Sequence, residues 1–332
     1  MGDGMILKRS IYFILFMVLA INFILMLFFG KETFQIKDKP VTAVKYDYHF
    51  VLISEEADNP YWRLVEKGAR DAAKIYNVYV EYLGPNQADN TEQLQYMDQS
   101  IAGNVDGLII QGVKNERFDK LVNKAFEKGI PVVTVDTDAP ESERAVYVGS
   151  DNYRSGMLAG EAFIKDTQGE QLVGIVTGRF ESSSQQLRIQ GFKDAIQQHK
   201  RMKIVATKES KITKSGAVQA TYDLLREHPD LTAFYGTSAL DGTGIAQVVN
   251  QLQLNPYIIS FDILPQTIEL LENGSIDATV AQYPYQMGYK AIEMLLHLER
   301  GEHPGELQFT KTKIVRSEHT PSHKAPMKGA GS

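Results

Sequence analysis

Cysteine is absent from all 332 residues. That excludes disulfides, thiolate chemistry, Cys-ligated metals and the acylated cysteine of a lipoprotein. Tryptophan occurs once, as Trp62. A surplus of positive charge is also missing: 35 Lys and Arg face 41 Asp and Glu, for a formal net charge of −6. A nucleic-acid binder needs a basic face, so nucleic acid is disfavoured as a partner. Histidine is sparse, and Pro321 between His319 and His323 argues against a helical metal pair there. No Ser/His/Asp grouping or strand–Gly-loop phosphate site stands out. Gly242-Thr243-Gly244 has Gln247 where a dinucleotide fingerprint needs its third Gly, and reads as a close-packed helix start. Asn273-Gly274-Ser275 fits a glycosylation sequon but reads as a turn. No enzyme, cofactor or metal site is expected.

Long apolar runs are missing as well, with one exception. From Ser10 to Phe29 the chain is apolar but for Asn22. About 20 such residues are what a helix needs to cross the hydrocarbon core. Lys8 and Arg9 precede the run, whereas Lys31, Glu32, Lys37, Asp38 and Lys39 follow it. This weak positive-inside bias puts residues 1–9 in the cytoplasm, 10–29 across the membrane and the remainder outside. A cleaved signal peptide is the competing reading. The run is longer than a typical signal core, and Leu27-Phe28-Phe29 offers no small-residue cleavage site, so an uncleaved signal anchor is expected. Residues 30–47 read as a polar linker, and 319–332 as a disordered tail of small and polar residues.

What remains alternates strand and helix. The apolar runs Tyr48–Ile53, Val78–Leu83, Gly107–Ile110 and Ile130–Val135 are separated by residues recurring at helical spacing, such as Val65, Ala69, Ala72, Ala73 and Tyr76. The rhythm restarts near Asp151, with strands expected at Leu172–Val176, Lys203–Ala206, Thr232–Tyr235, Tyr257–Phe261 and Ala278–Ala281. Near-continuous Val/Ile runs are strands buried on both faces, as in a parallel sheet. Two consecutive series predict an α/β protein of two doubly wound lobes with a cleft between them, a favoured place for a small molecule.

In such sheets ligands bind beyond the carboxyl ends of the strands. The residues just past those ends are Asn59, Gln111, Asp136, Ser238, Asp262 and Gln282, with Arg188 in a helix that follows. Tyr61 and Trp62 sit beside Asn59 in Asn59-Pro60-Tyr61-Trp62. Carboxylates accept hydroxyl protons, Arg donates in a fixed fork and amides do both. Flat rings beside such groups suit a ligand with one apolar face and a hydroxyl-rich rim, as a sugar has. Carboxylates outnumber the cation, so an anion fits poorly. The bland alternatives are that Tyr61 and Trp62 merely pin the first helix to the sheet, and that each Asp only caps a helix.

The chain resembles the type 1 periplasmic binding proteins, nearest the ribose-binding branch, over Tyr48 to Arg316. The resemblance rests on Asn59-Pro60-Tyr61-Trp62, Ile130-Pro131-Val132-Val133-Thr134-Val135-Asp136 and Gly149-Ser150-Asp151-Asn152. It continues through Arg188-Ile189-Gln190-Gly191-Phe192, Ser260-Phe261-Asp262 and Ala278-Thr279-Val280-Ala281-Gln282-Tyr283-Pro284. It implies two Rossmann-like lobes joined by three crossovers and closing on a monosaccharide. The lobes would be 48–150 with 283–310, and 151–282 with 311–318. Asn59, Asp136, Arg188, Asp262 and Gln282 match the family's sugar-hydroxyl contacts, and Tyr61 and Trp62 its stacking aromatics. The chain departs from ribose-binding relatives at Thr137, at Ser238-Ala239, at Lys211-Ile212 (where an aromatic is missing) and in a longer first loop, Glu55-Glu56-Ala57-Asp58. These departures bear on which sugar binds rather than on the ligand class.

The function expected is a membrane-anchored, extracytoplasmic sugar receptor that signals to a membrane sensor kinase. The alternative is the substrate-binding component of an ABC importer, docking on its permease. A sugar-responsive transcription regulator is more remote, because the apolar segment stands where its DNA-binding helices belong.

Overall fold

The protein is described by a computed structural model that covers residues 3–34 and 45–316. It divides into two compact units, the second beginning at Tyr46.

The first unit is a single helix, α1 (Asp3–Phe34). Its segment Arg9–Gly30 is long and apolar enough to cross a membrane. Asn22 satisfies its own amide within the helix, Nδ2 donating to the Val18 carbonyl at 2.8 Å. The helix continues through Gly30 to Phe34, so the first residues assigned to a linker are helical instead. Lys31 and Glu32 are good helix formers, and one Gly does not stop a helix already nucleated on its N-terminal side. The rest of that linker up to residue 44, and the tail 319–332, lie outside the described residues.

The second unit holds two sheets with the same strand order, all pairs parallel except the edge pair of Ala278–Ala281 with Lys313–Arg316, which is antiparallel. The first series runs β1 (Tyr48–Ile53), α2 (Pro60–Ile75), β2 (Val78–Leu83), α3 (Asn90–Ala102), β3 (Gly107–Ile110), α4 (Glu116–Glu127), β4 (Val132–Val135) and β5 (Val146–Ser150). The second runs α5 (Asn152–Asp166), β6 (Gln171–Thr177), α6 (Ser183–Ile196), β7 (Met202–Glu209), α7 (Lys214–Glu227) and β8 (Ala233–Gly236). It goes on with α8 (Ala239–Gln251), β9 (Tyr257–Phe261), α9 (Pro265–Glu272) and β10 (Ala278–Ala281). Helix α10 (Pro284–Glu299) and strands β11 (Leu307–Thr310) and β12 (Lys313–Arg316) close the described chain.

One sheet is ordered β11-β5-β4-β3-β1-β2 and the other β12-β10-β9-β8-β6-β7. Each therefore reverses direction beside its first strand, at β1/β3 and at β6/β8, and such switch points open a crevice at the strands' carboxyl ends. The chain passes between sheets after β5, after β10 and from β11 to β12. Strands β3, β4, β8, β9 and β10 are buried throughout, because helices cover both faces of each sheet.

Strands β5, β11 and β12 were not among those expected. The outermost pair, β11 and β12, carries exposed residues such as Leu307 and Phe309 and no apolar run. Their pairing comes from the free edges of β5 and β10.

Local signals set the helix starts. Asn59 caps α2, Oδ1 accepting the Tyr61 amide at 2.9 Å, and Pro60 occupies the first turn, where its missing N–H costs nothing. Asp89, Asn115, Asp151, Thr213 and Ser238 cap α3, α4, α5, α7 and α8 in the same way. Asn273-Gly274-Ser275 forms a turn, with Gly274 at φ +78°. Gly242 and Gly244 lie inside α8, packed against Ser260 and Ala217, as the close-packed helix start requires.

Candidate functional site

All of the residues singled out from the strand ends line one cavity. Asn59, Tyr61, Trp62, Gln111 and Asp136 reach it from the first lobe, and Arg188, Ser238, Asp262 and Gln282 from the second. The cavity encloses about 580 Å³ of space between atoms, part of it continuous with solvent.

Two aspartates face each other across it from matching positions. Asp136 follows β4 and Asp262 follows β9, and both adopt the left-handed backbone, at φ +65° and +70°. Such a conformation costs energy in any residue but Gly, and Asn and Asp tolerate it best. It is pinned by matching bonds: the Asp136 amide donates to Val148 O at 3.1 Å and the Asp262 amide to Val280 O at 2.9 Å. The Asp136 carbonyl accepts from the Tyr147 hydroxyl and the Asp262 carbonyl from the Thr279 hydroxyl. Neither Asp caps the helix that follows it in sequence, so helix capping does not account for them. Asp262 Oδ2 does accept the Ala239 amide at the start of α8, at 3.2 Å.

Arg188 joins the two sides. It is 4% exposed, lies on α6, and its guanidinium stacks over the Phe261 ring at 4.1 Å. Nε donates to Asn152 Oδ1 at 2.8 Å and one Nη to Thr237 O at 2.9 Å. The other Nη reaches Gln282 Oε1 at 3.4 Å and lies 4.0 Å from Asp136. Gln282 is held at both ends, donating to Asp262 at 2.6 Å and accepting from the Ser150 hydroxyl at 2.8 Å. Burial pushes the Asp262 carboxyl above its ordinary range, with Arg188 and the Gln282 amide opposing.

On the first lobe the Tyr61 hydroxyl donates to Asp136 at 2.6 Å, and burial together with that carboxylate holds its proton far more tightly than usual. Trp62 meets Tyr61 edge-on at 6.0 Å and is 2% exposed. The pair packs α2 onto the sheet and also presents a wall to the cavity. Gln111 Nε2 lies 3.3 Å from Asp136. Ser238 is spent on capping α8 and on Asp241, so it offers the cavity less than its position promised.

Further residues line the cavity besides the candidates, two of them at places marked as departures from the ribose-binding pattern. Glu55, in the longer first loop, is a partly buried carboxyl whose pKa burial raises to about 7, against the pull of Arg179. Ile212, Leu240 and Leu264 supply apolar surface, and Ser182, Ser184 and Gln185 supply hydroxyls and an amide. Ile212 stands where the ribose-binding pattern has an aromatic. The cavity thus has apolar patches and a rim that accepts at three carboxylates and donates from Arg188 and amides. Its lining contains no His, and no metal-holding cluster occurs among the described residues. That chemistry fits a neutral polyhydroxy ligand held reversibly.

Comparison with known proteins agrees in kind. Residues 50–303 match the family described as periplasmic binding protein domain. The D-allose-binding periplasmic protein of Escherichia coli is 25% identical over 76% of this chain and 84% of its own length. The crystal structure of GanP, a glucose-galactose binding protein from Geobacillus stearothermophilus, shares 49% identity over 83% of this chain and 100% of that one, with a TM-score of 0.80. A chain of the XylFII-LytSN complex shares 34% identity over 82% of this chain and 98% of that one, with a TM-score of 0.77.

Proposed function

Because this chain belongs to the type 1 periplasmic sugar-binding proteins, of the ribose-binding kind, we propose that its cavity takes one monosaccharide and that its capture is read by a membrane sensor kinase. Its relatives are sugar-binding proteins and not enzymes, and this chain is a binding protein whose ligand domain works outside the cytoplasm. The observation that carries the ligand reading is the convergence of Asn59, Tyr61, Trp62, Gln111 and Asp136 with Arg188, Ser238, Asp262 and Gln282 on one cavity between lobes. The aromatic pair covers an apolar sugar face, Asp136 and Asp262 accept hydroxyl protons, and Arg188 and the amides donate.

Trp62 is the only Trp in the chain, so its fluorescence reports the cavity directly. A soluble fragment of residues 46–316 should respond, by fluorescence and calorimetry, to a member of a panel of D-glucose, D-galactose, D-xylose, L-arabinose and D-ribose. Silence across the panel would sink the sugar reading.

Arg9–Gly30 supports a retained anchor, which keeps the receptor beside a membrane neighbour, and the XylFII-LytSN complex supports a sensor partner. Lobe closure then acts on that partner by changing a contact that differs in free energy between open and closed forms. An importer's substrate-binding component is the second reading, favoured by the ribose import binding proteins among the relatives. Deleting the protein separates the two. Loss of sugar-induced transcription with uptake bypassed supports the sensor, whereas loss of uptake alone supports the importer. A mature N-terminus mapping beyond Gly30 would overturn the anchor.

A further inference from the structure

A group of contacts between the lobes lies where β6 runs into α6 of the second lobe. Residues 178–182 join β6 to α6, and Arg179 reaches from that loop to the first lobe. One Nη donates to Asn90 Oδ1 at 2.9 Å, at the first turn of α3, and the other to the Ala88 carbonyl at 2.8 Å. The second Nη also lies 3.6 Å from Glu55 Oε1. Beside it the Ser184 and Thr137 hydroxyls meet at 2.9 Å, and the Ser183 hydroxyl donates to Asp138 O at 3.0 Å. The Arg179 side chain is 13% exposed, so these bonds are shielded from competing water.

Arg179 does not line the cavity that holds the site residues. It lines a second, smaller cavity next door, which shares Glu55, Gln111 and Ser182 with the first. The shared wall matters, because the carboxyl that attracts the guanidinium also faces the space assigned to the sugar.

We infer that Arg179 is a positioning residue, a latch between the lobes that sets how long the sugar stays without touching it. The inference rests on the sugar-binding reading. Two charge-assisted bonds and one carboxylate neighbour exist only while the lobes are together, so losing them favours opening and release. Encounter with the open cleft needs none of them. Because Arg179 is outside the sugar cavity, its loss reaches the sugar only through lobe opening and through Glu55.

The test is stopped-flow Trp62 fluorescence on fragment 46–316, using the tightest binder of the five-sugar panel above. Arg179→Ala should raise the dissociation rate by about tenfold and leave the association rate within about twofold. An unchanged dissociation rate, or an association rate that falls by as large a factor, overturns the latch while leaving sugar binding intact. Asn90→Ala acts from the other lobe and serves if the first variant does not fold. It should raise the dissociation rate as well, and combined with Arg179→Ala it should add less than its effect alone. If the wild-type fragment answers to no sugar, the sugar reading fails separately, and the latch is judged by the distance between spin labels placed one on each lobe. Arg179→Ala must then widen the separation in the ligand-free protein, and an unchanged distribution overturns it.

Discussion

At the scale of single residues, the site is a set of buried polar groups that answer one another. Arg188 spends its donors on Asn152, Thr237 and Gln282, and Asp262 spends its acceptors on Gln282 and Ala239. Removing either leaves a buried partner unmet, at a cost of about 1–3 kcal/mol and more where charge is involved. Arg188→Ala and Asp262→Ala should therefore weaken sugar binding by roughly tenfold or more, at ~1.4 kcal/mol per decade. Calorimetry on folded variants decides the matter, and wild-type affinity in both would remove them from the site. Glu55 adds a pH dependence. Its carboxyl is raised from 4.5 to about 7, so the folded protein holds a proton there that the unfolded chain has released. Unfolding free energy should fall as pH rises from 4.5 to about 7, because the native state binds the extra proton across that window. Asp241, fully buried among the Ser210, Thr237 and Ser238 hydroxyls, is raised to about 6 and acts in the same direction lower down. Urea titrations from pH 4 to 8 should show the decline, and Glu55→Gln should flatten it above pH 6. A decline of the same steepness in that variant would discharge Glu55 from the role.

Among the elements, the crossing of α5 and α6 places Arg188. Gly156 of α5 abuts the Arg188 backbone, and Gly191 of α6 abuts that of Tyr153, so the two helices approach closely at both points. A β-carbon on Gly156 would collide with the Arg188 carbonyl and push α6 outward. Overpacking of this kind costs about 1–3 kcal/mol. Gly156→Ala should lower the unfolding midpoint and weaken sugar binding together, although the residue touches no sugar; unchanged affinity would show that α6 has slack there. Much at this scale was legible in the sequence. The buried strands announced themselves by Val/Ile runs, and Asp136, Asp262 and Gln282 by standing at the ends of those runs. Strands β11 and β12 were not, since an edge strand is defined by what it pairs with rather than by its own residues. Ile212 was marked only through the resemblance and not by its own local pattern. It enters the cavity through a left-handed step at Lys211 and Ile212, each at φ +55°, which a β-branched side chain disfavours, so local preference points elsewhere. Glu55 and Arg179 belong to loops, where no periodicity exists to read.

For the whole molecule, the cavity is lined from both lobes, the larger share by the second, and neither share alone surrounds it. This explains how residues far apart in sequence became one site: strand order repeats, so equivalent strand ends come to face each other. The repeat also explains why the sugar class was readable and its identity was not. Class follows from which chemical groups stand at the strand ends, whereas loop residues such as Glu55, Ile212 and Leu264, which also line the cavity, carry no periodicity to read. Small-angle scattering should show the fragment 46–316 becoming more compact on addition of the responding sugar. A radius of gyration that does not change would mean that the lobes are already together before the sugar arrives.

The sheet membership of the chain's ends has a mechanical side. The polypeptide arriving from α1 enters the first sheet through β1, while the last described strand, β12, lies in the second. Were α1 held in a bilayer, the attachment would therefore act directly on the first lobe, and on the second only through the crossovers. That lobe would then be the stator and the other the rotor. A neighbour gripping only the stator would feel almost nothing when a sugar binds, whereas one bridging stator and rotor, or gripping the rotor, would receive the full stroke.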